Sequence, residues 1–120
     1  MGENKEKTYT PDEINARLQE GLPAWSFAGG FIERTYKTSG WKGTLIVVNT
    51  VGHLCEAAWH HPDMEVSYNK VRVKLQNHDA NGITDKDFEL AQKLDEVVLW
   101  KPQGALTGPP ASQSYIKQED

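Results

Sequence analysis

Hydrophobic residues along this chain follow two rhythms, steps of three or four and strict alternation, and the changes between them mark its elements. The first helical stretch opens at Thr10-Pro11-Asp12-Glu13. Thr10 caps the free backbone N–H groups, Pro11 fits a first turn that needs no N–H donor, and Glu13 closes a capping box. Ile14, Leu18 and Leu22 form one apolar stripe, which Gly21 and Pro23 bring to an end. Residues 25–27 read as a short strand, turned at Gly29-Gly30 into a partner over 31–38. After Ser39-Gly40 the helical step returns. One row carries Trp41, Leu45, Val48, Gly52, Cys55 and Trp59, and a second, of Thr44, Val47, Val51, Leu54 and Ala58, widens the stripe. The β-branched run Ile46-Val47-Val48 suits a strand, but the period extends too far for one. The pattern predicts a long, well-buried helix in which Gly52 permits close approach of a neighbour.

Past Pro62 the rhythm becomes two. Val66 and Tyr68, then Val71, Val73 and Leu75, alternate with polar residues about Asn69-Lys70, which predicts a second hairpin. Asp79-Ala80-Asn81-Gly82 has the composition of a turn. Thr84 caps a last helix with Asp87 as its short-armed capping-box partner, and Phe88, Ala91, Leu94 or Asp95, and Val98 mark the inner face. The polar residues 1–9 read as a flexible arm. From Lys101 the residues Pro102, Gly104, Gly108, Pro109 and Pro110 preclude regular structure, so 101–120 is an extended or a disordered tail. The domain proper spans residues 10–100. Its predicted class is α+β, in the order α-β-β-α-β-β-α, with helices packed on one face of a four-stranded antiparallel sheet.

Composition narrows the field. A chain of 120 residues supports one modest core. The net charge of −4 and pI near 5.5 argue against a nucleic-acid partner, and Lys70, Arg72 and Lys74, at every second position, read as the wet face of a strand. The single Cys55 excludes an internal disulfide framework and reads as a small buried hydrophobe. No stretch approaches the ~20 apolar residues that span a bilayer, and the start lacks a secretory pattern, so a cytoplasmic protein without a membrane partner is expected.

Candidate chemistry lies in the histidines. All four fall between His53 and His78, and two are adjacent in His60-His61-Pro62 at the end of the long helix. Imidazole both gives and takes a proton near neutrality, so the cluster points to proton transfer or to a metal. Glu56 precedes His60 by four and shares its helix face, where a carboxylate fixes an imidazole's tautomer. His61 points elsewhere, His78 closes the second hairpin, and Asp87 lies in the first turn of the last helix. A sheet packed under the long helix gathers these five residues at one end. Singly each has a plainer role, as a surface pair, a helix-end cation, a loop residue or a cap. His60, His61, His78 and Glu56 also compose a zinc-type donor set, although adjacent histidines at a helix end diverge.

Glu56-x-x-x-His60-His61-Pro62, Tyr68-Asn69-Lys70-Val71, His78, Gly82 and Asp87 together resemble the signature of the pterin-4a-carbinolamine dehydratases, over about residues 10–98. The resemblance implies a hydro-lyase that converts 4a-hydroxytetrahydropterin to quinonoid dihydropterin in tetrahydrobiopterin-type recycling, with no metal or organic cofactor. By matching position it implies His60, His61 and His78 as catalytic histidines and Asp87 as the associated carboxylate. Glu56, Trp59, His60, His61, Gln76, Asn77, His78 and Asp79 are the residues it implies for holding the pterin. It further implies a homodimer or homotetramer and a functional link to an aromatic amino-acid hydroxylase. The chain departs from the family pattern at Met64, where an aromatic is common, and in its longer tail. A non-catalytic alternative is also implied, a dimerisation cofactor or assembly factor built on the same fold, with the Pro/Gly tail and four tryptophans as its best evidence.

Overall fold

Helix α1, Pro11–Gly21, begins where Thr10 and Glu13 exchange hydrogen bonds: the Glu13 N–H donates to Thr10 Oγ1 at 3.2 Å and the Thr10 N–H to Glu13 Oε1 at 2.9 Å. It buries Ile14 and Leu18 and ends as Leu22 N–H returns to the Leu18 carbonyl. The computed structural model describes residues 6–117. Strands β1, Ser26–Ala28, and β2, Phe31–Lys37, follow, joined through Gly29 and Gly30 at φ of 60° and 87°, a left-handed pair that suits glycine. Helix α2 is Trp41–Ala58, strands β3 and β4 are Asp63–Ser67 and Lys70–Leu75, and helix α3 is Asp85–Val98. The element order is the predicted one. All neighbouring strands are antiparallel, in the spatial order β1-β2-β4-β3.

Alternation sets the two faces of the sheet. Ile32, Arg34 and Tyr36 of β2 and Val71, Val73 and Leu75 of β4 turn inward and are buried with Ile14, Leu18, Val47, Val51, Leu94 and their neighbours. The intervening residues face outward, where Arg72 bonds Glu33 at 3.1 Å and Glu65 at 2.6 Å. Within the core, Asp95 accepts from Trp25 Nε1 at 3.1 Å, Arg34 Nη1 at 3.1 Å and Tyr36 Oη at 2.6 Å. Leu94 is fully buried, so both residues serve the inner side of α3.

The long helix is corrected in two respects. Its buried side is narrower than the two rows together: Thr44, Val47 and Val51 of the second row face the core with Cys55 of the first and Gly43. Trp41 is 49% exposed, Leu45 42% and Ile46 37%, because the sheet and α3 cover a single side of α2. Gly52 is exposed with nothing near a would-be Cβ. The glycine of close approach is Gly43, whose Cβ would lie 2.7 Å from the Tyr115 carbonyl oxygen.

Both ends of the domain carry docked segments. Of the arm read as flexible, residues 1–5 lie outside the described residues, whereas 6–9 are anchored. Tyr9 N–H donates to the Ile83 carbonyl at 3.0 Å, its hydroxyl to Asp85 at 2.6 Å, and its ring meets Phe88 edge-on. An aromatic residue with a buried partner replaces the solvation that a polar arm would otherwise keep. The tail segment 101–117 runs extended across its own domain and includes a short 3₁₀ turn at Ala111–Gln113. Ile116 pairs antiparallel with Thr38, Ser39 N–H donates to the Tyr115 carbonyl, and Lys117 N–H to that of Lys37. Between this tail and the end of α3 lies an open cavity of about 820 Å³ lined by Trp100, Leu106 and Ile116 among others.

Candidate active site

The site begins at the last turn of α2. Trp59 adopts the left-handed conformation, φ 55° and ψ 46°, and its N–H and that of His60 fold back onto the Glu56 and Cys55 carbonyls, each at 3.1 Å. Helical register therefore stops at Ala58, and the next two side chains leave in different directions. His60 turns inward: its Nε2 lies 2.6 Å from Asp87 Oδ1, with the imidazole 12% exposed and the carboxylate fully buried. His61 turns outward, where its Nε2 meets Glu56 Oε1 at 2.8 Å and its ring meets Trp59 edge-on at 5.0 Å. The expected Glu56–His60 pair is thus replaced by Glu56–His61. The i, i+4 spacing applies only while the helix continues, and Trp59 ends it.

Asp87 is held in turn by its own helix start. Its Oδ2 accepts from Thr84 N–H at 2.8 Å and Thr84 Oγ1 at 3.3 Å, the capping box read in the sequence. A carboxylate receiving two donors on one oxygen presents the other as an acceptor. That selects the His60 tautomer protonated at Nε2 and leaves Nδ1 as the basic ring nitrogen.

Strand register brings the remaining residues to the same end. Asp63 pairs with Lys74 and Ile32 with Leu75, so the chain entering β3, the chain leaving β4 and the β1–β2 turn are neighbours. His78 follows β4, is exposed, and packs edge-on against Phe31 with ring centroids 6.4 Å apart. Gln76 Nε2 donates to the Gly30 carbonyl at 2.9 Å, and Asp79 is exposed. Asn77 is only 4% exposed and bonds its own loop. Between α2 and α3 a cavity of about 230 Å³ opens beside His60, lined also by Leu54, Leu90, Lys86 and Lys93.

Other groups are placed apart from this chemistry. Burial pushes the Cys55 thiol up to about 11, so it is not a nucleophile near neutrality. His53 is exposed on the flank of α2. Among the described residues no group of three or more His, Cys, Asp or Glu side chains is arranged to hold a metal ion. The zinc-type set is not assembled, because His60 and His61 diverge. Sequence reasoning missed Phe31, whose only signal was an aromatic at the outward first position of a strand, and the reach of the Thr84 side chain beyond capping.

Residues 7–97 match the family model described as Pterin 4 alpha carbinolamine dehydratase. A protein of Aquifex aeolicus, provisionally named a pterin-4-alpha-carbinolamine dehydratase, is 47% identical over 92 residues, covering 77% of this chain and 92% of that one. A counterpart of the same provisional name in Chloroflexus aurantiacus is 43% identical over 91 residues, covering 73% and 98%. A crystal structure of a transcriptional coactivator/pterin dehydratase from Brucella melitensis superposes with a TM-score of 0.70 at 26% identity, over 77% of this chain and 99% of that one. The tail segment past residue 97 lies outside the family match.

Proposed function

The chain belongs to the pterin-4a-carbinolamine dehydratase family, and on that footing we propose that it dehydrates a 4a-hydroxytetrahydropterin to the quinonoid dihydropterin. In this reaction the C4a–O bond breaks, the departing oxygen takes a proton and leaves as water, and a ring nitrogen gives up a proton to a base. Protons alone balance the step, so the reading requires no resident cofactor. The observation that carries it is the 2.6 Å pair between His60 Nε2 and the fully buried Asp87. A carboxylate behind an imidazole stabilises the cation formed when that ring accepts a proton, which suits His60 as the base. His78, exposed on Phe31 at the same end of the sheet, is then the acid. His61 with Glu56 and Trp59 orients the pterin at the mouth. Positioned acid–base groups of this kind contribute ~10²–10⁴-fold each.

Stopped-flow mixing with chemically generated 4a-hydroxytetrahydropterin tests the reading. His60→Ala and His78→Ala should each lower turnover by at least ~10²-fold with the fold intact. A wild-type protein that dehydrates no faster than buffer would sink it. In a cell the reaction belongs to recycling of a tetrahydrobiopterin-type cofactor, downstream of a hydroxylase that forms the carbinolamine.

A second proposal, self-association, is favoured by the exposed apolar row of α2, where Trp41, Leu45 and Ile46 face solvent. Contiguous apolar surface of this kind marks contact sites. The accessory reading, a dimerisation cofactor or assembly factor, would use the same fold. Deleting residues 103–120 separates it from catalysis, since lost partner binding with intact dehydration would favour the accessory role.

A further inference from the structure

Asn77 lies one residue before His78, and nearly all of its hydrogen-bonding capacity is used. Its N–H and carbonyl pair with those of Gly82 at 2.9 and 3.2 Å, closing a loop over residues 78–81. Within that loop Asn77 Oδ1 accepts from Ala80 N–H at 3.1 Å, and the His78 carbonyl accepts from Asn81 N–H at 3.3 Å. Both amide hydrogens of Asn77 are engaged: Nδ2 donates to Thr84 Oγ1 and to Glu6 Oε1, each at 3.2 Å. Thr84 Oγ1 donates onward to Asp87 Oδ2 at 3.3 Å, and Asp87 Oδ1 holds His60. One chain of hydrogen bonds therefore runs from the His78 loop to the His60 ring. Asn77, Thr84 and Asp87 are all buried along it.

We propose that Asn77 is a positioning residue that acts through Thr84 and Asp87 to hold the His60 ring and the His78 loop in mutual register. This assigns it a scaffold role in place of pterin contact. His78 is exposed, so the backbone of its loop is what sets its place, and Asn77 sets that backbone from both ends. From the other side the chain arm presses on the loop, where a Cβ on Gly82 would lie 2.9 Å from Thr8 Cγ2. The linkage rests on the dehydratase reading for its kinetic consequence, but the hydrogen-bonded path does not.

The test uses the full chain with Asn77→Ala, Thr84→Val, Thr84→Ser and the Asn77→Ala/Thr84→Val double variant, each checked for a cooperative thermal transition. Small displacements of a catalytic group cost up to ~10²-fold. Asn77→Ala and Thr84→Val should therefore each lower kcat about tenfold or more with KM within about threefold, while Thr84→Ser stays within about twofold of wild type. Residues acting along one path are non-additive, so the double variant should be about as slow as the slower single. In parallel, the His60 imidazole NMR resonances at fixed pH should move in Asn77→Ala and in Thr84→Val, reporting a displaced ring. If the wild type lacks dehydratase activity, the functional reading fails and the resonances alone decide the linkage. If Asn77→Ala does not fold, the Thr84→Val and Thr84→Ser pair decides it. A raised KM with unchanged kcat, additive losses, or His60 resonances identical to wild type would overturn the proposal.

Discussion

Neighbouring imidazoles serve different surroundings here because one residue, Trp59, leaves the helical conformation before them. His60 reaches the buried Asp87 and His61 the exposed Glu56, at 53% and 67% side-chain exposure for the outer pair. An exposed pair of that kind contributes little to stability, whereas the inner one completes a buried network. Cys55, one turn earlier, gives a consequence at alkaline pH. Its thiol rises from 9.0 to about 11 on folding, so the folded state keeps a proton that the unfolded chain has lost. That contribution is complete below pH 9.0 and fades as pH climbs toward about 11. Urea unfolding should show wild type losing about 1 kcal/mol between pH 8 and 10 that Cys55→Ala does not lose. At this scale the candidates themselves were legible, since His60, His61, His78 and Asp87 stand out by type and spacing. Their pairing was not. Which carboxylate meets which imidazole depends on where α2 stops, and nothing in Ala58-Trp59-His60 marks a left-handed residue as glycine would have.

Elements were the most readable level where local chemistry decides them. Both capping boxes, Thr10 with Glu13 and Thr84 with Asp87, formed as their spacing required. The two hairpins followed from alternation and turn residues. Helix α2 was read correctly in type but not in orientation. Both of its rows are apolar, and periodicity measures the width of an apolar stripe without saying which part meets the sheet. The same gap exchanged the roles of two glycines. Gly52 has open space around it, whereas a Cβ on Gly43 would meet Tyr115 at 2.7 Å from its carbonyl oxygen and 3.0 Å from its Cβ. Gly43→Ala is therefore expected to lift the tail from the start of α2, read as several-fold faster chymotryptic cleavage after Tyr115. Gly52→Ala should leave cleavage unchanged and raise stability by about 0.5–1 kcal/mol.

The whole molecule combines a buried face with an apolar face left open. Trp41, Leu45 and Ile46 on α2 are consistent with assembly of the 13.5 kDa chain. Light scattering at micromolar concentration should give a multiple of that mass, and Leu45→Glu should reduce it toward one chain by placing a charge in the contact. The tail was unreadable in advance because its proline and glycine content excludes regular structure without saying whether it docks. Its anchorage comes from the backbone groups of residues 37 and 39, which only the fold exposes to it. Trp59 carries the remaining consequence. A bulky residue at φ 55° costs about 1–2 kcal/mol relative to glycine, and at 74% exposure its ring has little burial to offset this. Trp59→Gly should raise the melting temperature by a few degrees while weakening turnover, because His61 loses its ring neighbour. Thermostability and activity are then opposed at a single position, and a selection for heat resistance alone would be expected to discard this tryptophan.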